Sequence, residues 1–431
     1  MKPLIKSYFI LLFLAVLSSS SHLAAQASMS DCSCTADLTS LHDMIKETAS
    51  YKMSKSVYLK SYDEAQKLVQ EANSDYECYL LLAELLLTLN DNHGRLYGAD
   101  KGATEEIRGN QTQLDKFKQS ELYRAYPRSS LSLDSLEAAL SKSKADDIEG
   151  IYHLPDQLSL GLYLDVSNGH YIAIVLQSNN AIWNPGETIY TFIPYVDVLG
   201  SSLTPSGADG YLLGVGGSLS SKRLISYTER IDHGTFLTMG FRKDSSEKYQ
   251  ARSIHRDTTY LRRDISDDIT YIKAGSFSSW HPTLGEADRF YASLQGNISA
   301  PHLIIDLRDN SGGGDRNSDG LRRIIKEHVK TGKVYLITNH TTISNAEQFT
   351  LAVAEGKNCT VLGHRTNGTL TYEIKGTIGG VLSCDRYLVQ LASKKHGKYL
   401  QYESRGVQPD VILDMHSEWV DQVIYYIDTH E

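Results

Sequence analysis

The chain has 431 residues, of which 41% are hydrophobic and 22% charged. This balance is typical of a soluble globular protein and excludes a mostly disordered, collagenous or polytopic membrane chain. Lys and Arg number 43 against 52 Asp and Glu, which gives a formal net charge of -9. An acidic chain without a basic stripe repels phosphate backbones, so nucleic acid is not expected as a partner. At about 150 residues per domain, the length predicts two to three domains.

The first 27 residues have the organisation of a signal peptide. Lys2 and Lys6 precede an apolar run at residues 9–17, and Ala25-Gln26-Ala27 is the A-x-A pattern that a signal peptidase accepts. The apolar run is well short of the ~20 residues that span a bilayer. We therefore expect an exported protein, periplasmic or extracellular, whose mature chain begins near Ser28 and keeps no membrane span.

Five cysteines follow this segment: Cys32, Cys34, Cys78, Cys359 and Cys384. An oxidising compartment permits disulfides, and the odd number leaves at least one thiol free or bonded to another molecule. No second Cys/His pair lies at ligand spacing from Cys32-Ser-Cys34, so the pattern does not predict a zinc site.

Hydrophobic patterning divides the remaining chain into three regions. Residues 28–147 are predicted to be helical, and their segment 78–89 is apolar enough to be buried. Residues 148–264 alternate with a period of two between Asn/Gly turns, which indicates a small antiparallel β domain. Residues 265–431 alternate strands with helices, which predicts an α/β layer arrangement.

Ser344 opens a predicted helix just after a predicted strand at residues 333–338. The spacing Ser344-x-x-Glu347 fits a capping box, which explains this serine without any catalytic role. The same position would expose a nucleophile above the sheet, where backbone N–H groups can stabilise an oxyanion. Both interpretations fit the residues, and capping is the commoner role.

Three consecutive glycines, Gly312, Gly313 and Gly314, follow a buried strand that begins near residue 301. Such a run is either a flexible turn or a backbone that approaches a ligand closely and presents N–H groups. The phosphate-loop pattern G-x-x-x-x-G-K-[ST] is absent, and the acidic residues nearby do not form a calcium loop. Nucleotide and calcium sites are therefore not predicted here.

Four segments carry a resemblance to a known family. They are Leu303-Ile-Ile-Asp-Leu-Arg-Asp-Asn-Ser-Gly-Gly313, Thr342-Ile-Ser-Asn-Ala-Glu-Gln-Phe349, Gly363-His-Arg-Thr-Asn-Gly368 and Glu403-Ser-Arg-Gly-Val-Gln-Pro-Asp410. In this order they resemble the h-D-h-R-x-N-x-G-G signature, the nucleophile segment, the G-x-x-T-x-G turn and the closing E-x-x-G-[IV]-x-P-D segment of the S41 serine peptidases, the tail-specific or C-terminal processing proteases.

The resemblance implies a ClpP/crotonase-like α/β catalytic domain at residues 265–431 and an endopeptidase that acts on protein or peptide substrates. Ser344 would be the nucleophile of an acyl-enzyme mechanism that needs neither a metal nor an organic cofactor. The backbone N–H groups of Gly312 or Gly313 and of Asn345 would form the oxyanion hole.

The general base departs from the commoner arrangement in this family, a Ser–Lys dyad whose lysine directly follows the last glycine of G-x-x-T-x-G. Thr369 occupies that position, and Lys375 lies beyond it. The segment Leu89-Asn90-Asp91-Asn92-His93 resembles the one that supplies a histidine in the tricorn-like branch, although that branch has a serine where Asn92 stands. The resemblance therefore implies His93 as the base, since a neutral imidazole can accept the serine proton near pH 7.

Glu403 matches the glutamate that completes the tricorn-like charge network, and its ordinary role would be that of a solvated loop carboxylate. The main alternative to an enzyme is a non-catalytic binding or scaffold protein on the same fold, which the missing lysine favours. Residues 148–253 lack the glycine-rich carboxylate-binding loop of a PDZ module, so specificity for a C-terminal carboxylate is not expected.

Overall fold

A computed structural model of the chain describes residues 32–98, 110–120, 123–124, 127–179, 181–195, 211–217, 224–232, 234–246, 250–375 and 378–430. The predicted signal peptide and the expected mature start at Ser28 lie outside these residues. Within them the protein is mixed α/β with several sheets. No helix in the described ranges combines the length and the apolar character needed to cross a membrane.

The amino-terminal helical region packs its apolar faces into one core. Its helices are α1 (Cys34–Lys46), α2 (Ala49–Leu68), α3 (Asp75–Leu87), α4 (Gln111–Gln119) and α5 (Leu133–Leu140). The apolar α3 is buried as its composition predicts, and Leu82 and Leu85 lie in the same core as Leu38 and Leu41 of α1. The chain then turns sharply after Leu89 and enters β1 (Arg95–Gly98).

An antiparallel sheet follows, with the strand order β2-β3-β4-β5-β6-β7. The strands are β2 (Gly150–Leu154), β3 (Leu158–Asp165), β4 (His170–Ser178), β5 (Thr188–Tyr195), β6 (Tyr211–Gly217) and β7 (Leu224–Glu229), followed by the short β8 (Ile231–Asp232) and β9 (Thr235–Phe236). The alternating Leu158, Leu160 and Leu162 of β3 are all buried in one core. Period-two patterning therefore places one face of this sheet inside.

The carboxyl-terminal region is built on a six-stranded sheet with the order β10-β11-β12-β13-β14-β19. Its strands are β10 (Tyr260–Asp264), β11 (Ile269–Ala274), β12 (His302–Asp306), β13 (Lys333–Thr338), β14 (Cys359–Gly363) and β19 (Val411–Ile412), and the smaller strands between them are β15 (Tyr372–Glu373), β16 (Ile378–Val381), β17 (Tyr387–Leu391) and β18 (Lys394–Lys395). β10 pairs antiparallel with β11, whereas the pairs from β11 to β19 are parallel. β10 thus belongs to this sheet, although its sequence position suggested the preceding β domain.

Helices cover both faces of the parallel strands. They are α6 (Thr283–Leu294), α7 (Asp315–His328), α8 (Asn345–Ala354) and α9 (Trp419–His430). Residues of α6, α7 and α8 pack with Ile305 and Leu336 on one face. Trp419 and Val423 of α9 pack with Ile304 and Ile337 on the other. Both faces are buried, which explains why β12 and β13 are continuous apolar runs rather than alternating ones.

Covalent and ionic links join the helical region to the carboxyl-terminal region. A disulfide joins Cys34 to Cys78 within the helices, and another joins Cys32 to Cys384 in the β16–β17 turn. Arg386 beside that turn lies 2.7 Å from the buried carboxylate of Asp37. β1 also pairs with β17. These links fix the loop after α3 against the carboxyl-terminal half of the chain.

We predict that the double substitution of Cys32 and Cys384 by Ser lowers the free energy of unfolding by about 2–4 kcal/mol, because the disulfide closes a very long loop. Urea denaturation of the oxidised proteins measures the change. Cys359 is free, so Cys359→Ser is the matched control and should leave the free energy within about 0.5 kcal/mol. Equal stability of the double variant and the wild type would contradict the prediction.

Candidate active site

The parallel sheet brings three loops to one edge, because the carboxyl ends of parallel strands meet there. The glycine run follows β12, the Ser344 turn follows β13, and residues 364–371 follow β14. Hydrogen bonds link the three loops. The N–H of Ile343 donates to the carbonyl oxygen of Asn310 at 3.0 Å, and the N–H of Asn367 donates to the carbonyl oxygen of Thr342 at 3.1 Å.

Ser344 has a backbone conformation that differs from those of other helix-capping residues in this chain. Its φ is 58° and its ψ is -120°, a region that non-glycine residues enter at a cost of about 1–3 kcal/mol. The capping residues of α1 to α5 have negative φ and accept a helix N–H with their side chains; they are Ser33, Thr48, Ser74, Asn110 and Ser132. A strained backbone is unnecessary for capping, so the conformation of Ser344 favours a different role.

His93 and Ser344 lie together although 251 positions separate them. The Nε2 atom of His93 is 3.1 Å from the Oγ atom of Ser344. Burial lowers the pKa of His93 to about 3, and the nearby positive charge of Arg95 acts in the same direction. The imidazole is therefore neutral near pH 7, and its Nε2 lone pair can accept the hydroxyl proton.

Two carboxylates hold the short loop that carries His93. Oε1 of Glu403 accepts the backbone N–H of Asn92 at 3.0 Å. Oδ1 of Asp91 accepts the backbone N–H of His93 at 3.0 Å. The side-chain amide of Asn92 donates to the carbonyl oxygen of Gly368 at 2.9 Å. The side chain at position 92 therefore anchors this loop to the turn after β14.

Glu347 holds the Ser344 turn from the other side. Its buried carboxylate accepts the N–H of Ser344 at 2.9 Å, which is one half of the capping box. It also accepts the N–H groups of Gly368 at 2.6 Å and Thr369 at 2.8 Å, and the hydroxyl of Thr366 at 2.6 Å. Burial raises the pKa of Glu347 to about 7. This residue thus connects the nucleophile segment with the G-x-x-T-x-G turn, a role that the capping box only partly indicates.

The glycine run lies directly against the Ser344 turn. A Cβ atom on Gly312 would be 2.9 Å from the nitrogen of Asn345 and 3.0 Å from the Cβ of Ser344, and the φ of Gly312 is 89°. The N–H of Gly312 donates to Oδ1 of Asn310 at 2.9 Å. Among the described residues, the backbone N–H groups of Gly313 and Asn345 have no hydrogen-bond acceptor. These two donors are therefore available to an oxyanion, whereas the N–H of Gly312 is occupied.

The lysine position of the dyad is filled by a residue that cannot act as a base. Thr369 is buried, and its N–H donates to Glu347. Lys375 is exposed, and its N–H donates to the hydroxyl of Ser393 at 3.0 Å. The hydrogen-bond partner of Ser344 Oγ is thus the imidazole of His93.

Two residues of the site were not singled out from the sequence. Asn310 positions the glycine run through its side chain, and Asp91 lies two residues before His93 on the same loop. The D-x-H spacing was the available signal for Asp91. Within the described ranges, Asp91, His93 and Glu403 also have the chemistry of a metal-ligand set, with one ligand atom of each within 4.8 Å of the others.

No protein-family model matches the sequence, and no curated protein is recognisably similar. Similar solved structures are S41-family peptidases at low identity. Mature CPAF is 11% identical with a TM-score of 0.42, over 91% of this chain and 96% of that chain. A photosystem II D1 C-terminal processing protease is 15% identical with a TM-score of 0.35, over 88% and 93%. The tricorn protease is 13% identical with a TM-score of 0.39, over 91% and 36%. Likeness at this level does not by itself assign an activity.

We predict that raising the pH from 6.5 to 8.5 lowers the free energy of unfolding. Burial raises the pKa of Glu347 to about 7 and that of Glu403 to about 8. Both carboxyls are already ionised in the unfolded chain at pH 6.5, so the folded state binds more protons and loses this advantage as the pH passes the folded pKa values. Each group contributes a slope of up to about 1.4 kcal/mol per pH unit.

Urea denaturation at half-unit pH steps tests this dependence. The buried His93 and His340, whose pKa values are lowered, have the opposite effect only below about pH 6.5, where unfolded histidines begin to bind protons. Glu347→Gln should flatten the slope above pH 6.5. A free energy of unfolding that rises between pH 6.5 and 8.5 would contradict the prediction.

Proposed function

We propose that the protein is a serine endopeptidase in which Ser344 is the nucleophile and His93 the general base. The observation that carries the proposal is the 3.1 Å contact between His93 Nε2 and Ser344 Oγ. It joins a neutral imidazole to a serine held in a strained turn at a helix N-terminus. Nucleophile and base within hydrogen-bond reach are the minimum requirement for acyl transfer by a serine.

In the proposed reaction Ser344 Oγ attacks the substrate carbonyl carbon while its proton moves to His93 Nε2. The N–H groups of Gly313 and Asn345 stabilise the resulting oxyanion. His93 then donates the proton to the leaving nitrogen as the C–N bond breaks. Water attacks the acyl-enzyme with His93 again accepting a proton, and Ser344 regains its hydroxyl when the acid leaves.

The proposal extends to the branch and the fold. The absence of a lysine at position 369 and the proximity of His93 favour a tricorn-like Ser-His arrangement, in which Glu403 acts through the loop of His93. Parallel strands covered by helices on both faces support a ClpP/crotonase-like catalytic domain. A non-catalytic binding protein would not need the strain at Ser344.

We predict that Ser344→Ala and His93→Ala each abolish covalent labelling by a fluorophosphonate probe, because only a serine activated by a base reacts at a useful rate. Mass spectrometry of the wild type should place the label on Ser344. The double variant should be no worse than either single variant, because members of one catalytic unit are strongly non-additive. Lys375→Ala is the control and should label as the wild type does.

Substitutions at position 344 also separate the nucleophile from a helix cap. Ser344→Gly should abolish labelling and keep or increase the free energy of unfolding, because glycine accommodates a φ of 58° without strain. Ser344→Thr should still cap the helix but impair labelling, since its methyl group crowds the hydroxyl. A wild type that does not label, with Ser344→Ala merely destabilised by about 0.5–2 kcal/mol, would favour the binding or scaffold protein.

We also propose that the protein is exported to the periplasm or the extracellular space. The two disulfides support this, because such bonds persist in oxidising compartments. Amino-terminal sequencing of exported material should begin at or near Ser28, directly after the small residues of Ala25-Gln26-Ala27. Exported protein that still begins at Met1 would contradict this prediction.

A further inference from the structure

Two buried carboxyl groups lie side by side next to the proposed base. One carboxylate oxygen of Asp91, one of Glu403 and one ring nitrogen of His93 all lie within 4.8 Å of one another. Both carboxyl side chains are buried. Glu403 also accepts the N–H groups of Leu370 at 3.1 Å and Thr371 at 2.8 Å. The pair is therefore a fixed part of the protein interior rather than a solvated acidic patch.

The second ring nitrogen of His93 lacks the partner that a base of this kind needs. Nδ1 is buried and makes no hydrogen bond to the described residues. When Nε2 accepts the serine proton, Nδ1 must carry a hydrogen, and a buried N–H without an acceptor costs about 1–3 kcal/mol. Because Nε2 faces Ser344, Nδ1 is the nitrogen available to the two carboxyls.

Charge accounting indicates that the pair holds one proton. The charged and titratable groups that face it are His93, Arg95 and Tyr372. His93 and Tyr372 are neutral near pH 7, so Arg95 alone balances one of the two negative charges. Two like charges this close in a buried site cannot both ionise easily. One ionised and one protonated carboxyl is therefore the arrangement with no net charge.

We propose that Asp91 is the positioning residue of His93, acting as the ionised member of a proton-sharing pair with Glu403. This inference rests on the proposed serine-peptidase function. The carboxylate of Asp91 fixes the loop through the His93 backbone N–H and accepts Nδ1–H as the imidazolium forms. Glu403 keeps the shared proton and holds the loop through the N–H of Asn92.

The titration of the pair supports this assignment. Burial raises the pKa of Asp91 to about 6, which leaves it ionised at pH 7.5. Burial and the adjacent Asp91 raise the pKa of Glu403 further, to about 8. A cavity of about 20 Å³ next to Asp91 has room for one water, which gives this carboxyl a route for proton exchange.

The rate of Ser344 labelling by a fluorophosphonate probe between pH 5 and 8 tests the inference on the full chain. The wild-type rate should rise through about pH 6 as Asp91 ionises, whereas His93 itself stays neutral throughout this range. Asp91→Asn keeps an acceptor for the backbone N–H but removes the charge. It should lower the rate at pH 7.5 by about 10²–10⁴-fold, as loss of a triad carboxylate does, and abolish the rise near pH 6.

Glu229→Gln is the matched control, because Glu229 is also buried and accepts backbone N–H groups, from Arg230 at 3.0 Å and Thr238 at 2.8 Å. It should keep the wild-type profile. A folded Asp91→Asn variant with the wild-type rate and profile would overturn the inference, and so would a wild-type rate that is flat between pH 5 and 8. If the wild type does not label at Ser344 at all, the proposed function fails instead.

Stoichiometric zinc binding, measured by titration of the metal alone, would also overturn the inference if Asp91→Asn abolished it. The three side chains would then be metal ligands rather than a proton-sharing pair. Arg95 disfavours this outcome, because its positive charge lies beside the two carboxyls and repels a divalent cation.

Discussion

The contact between His93 and Ser344 depends on buried carboxylates that accept backbone N–H groups. The two residues lie 251 positions apart on loops that share no secondary structure. Glu403 and Asp91 hold the loop of His93, while Glu347 holds the turn of Ser344. A carboxylate that accepts several N–H groups fixes a loop without regular hydrogen bonding between strands. The geometry of the site therefore depends on acidic residues that touch the proposed reacting atoms only through the backbone.

The same burial that gives these bonds their rigidity also sets the electrostatics of the site. Removal from water lowers the pKa of His93 and raises those of Glu347 and Glu403. A histidine with a low pKa is free to accept a proton but gains little by doing so. An ionised carboxylate close to its ring compensates for this weakness, because it stabilises the imidazolium that forms during attack. Only Asp91 and Glu403 have carboxylate oxygens within 4.8 Å of His93 among the described residues.

The sequence predicted the parts of this structure that depend on local patterning. Apolar runs indicated β12 and β13, alternation indicated β3, and motif order indicated that Ser344, the glycine run and Glu403 belong to one site. The assignment of β10 to the parallel sheet was missed, because a short strand pairs according to its spatial neighbours rather than its composition. The shared roles of Asp91 and Asn310 were missed for a related reason. Hydrogen bonds between distant loops leave no periodic signal, and the D-x-H spacing has a meaning only once the second carboxylate is located.

Ser344 shows how a residue can satisfy a local rule and still be placed for another purpose. Its spacing to Glu347 fulfils the capping-box pattern, and the carboxylate half of that box is formed. A cap that only stabilised α8 would adopt the extended backbone found at the start of α1, α2 and α3. Instead, Ser344 has a φ of 58°, and the surrounding contacts with Gly312 and Glu347 maintain this conformation. Strain that the rest of the structure must offset is retained only where the resulting side-chain direction is needed, and here that direction is toward His93.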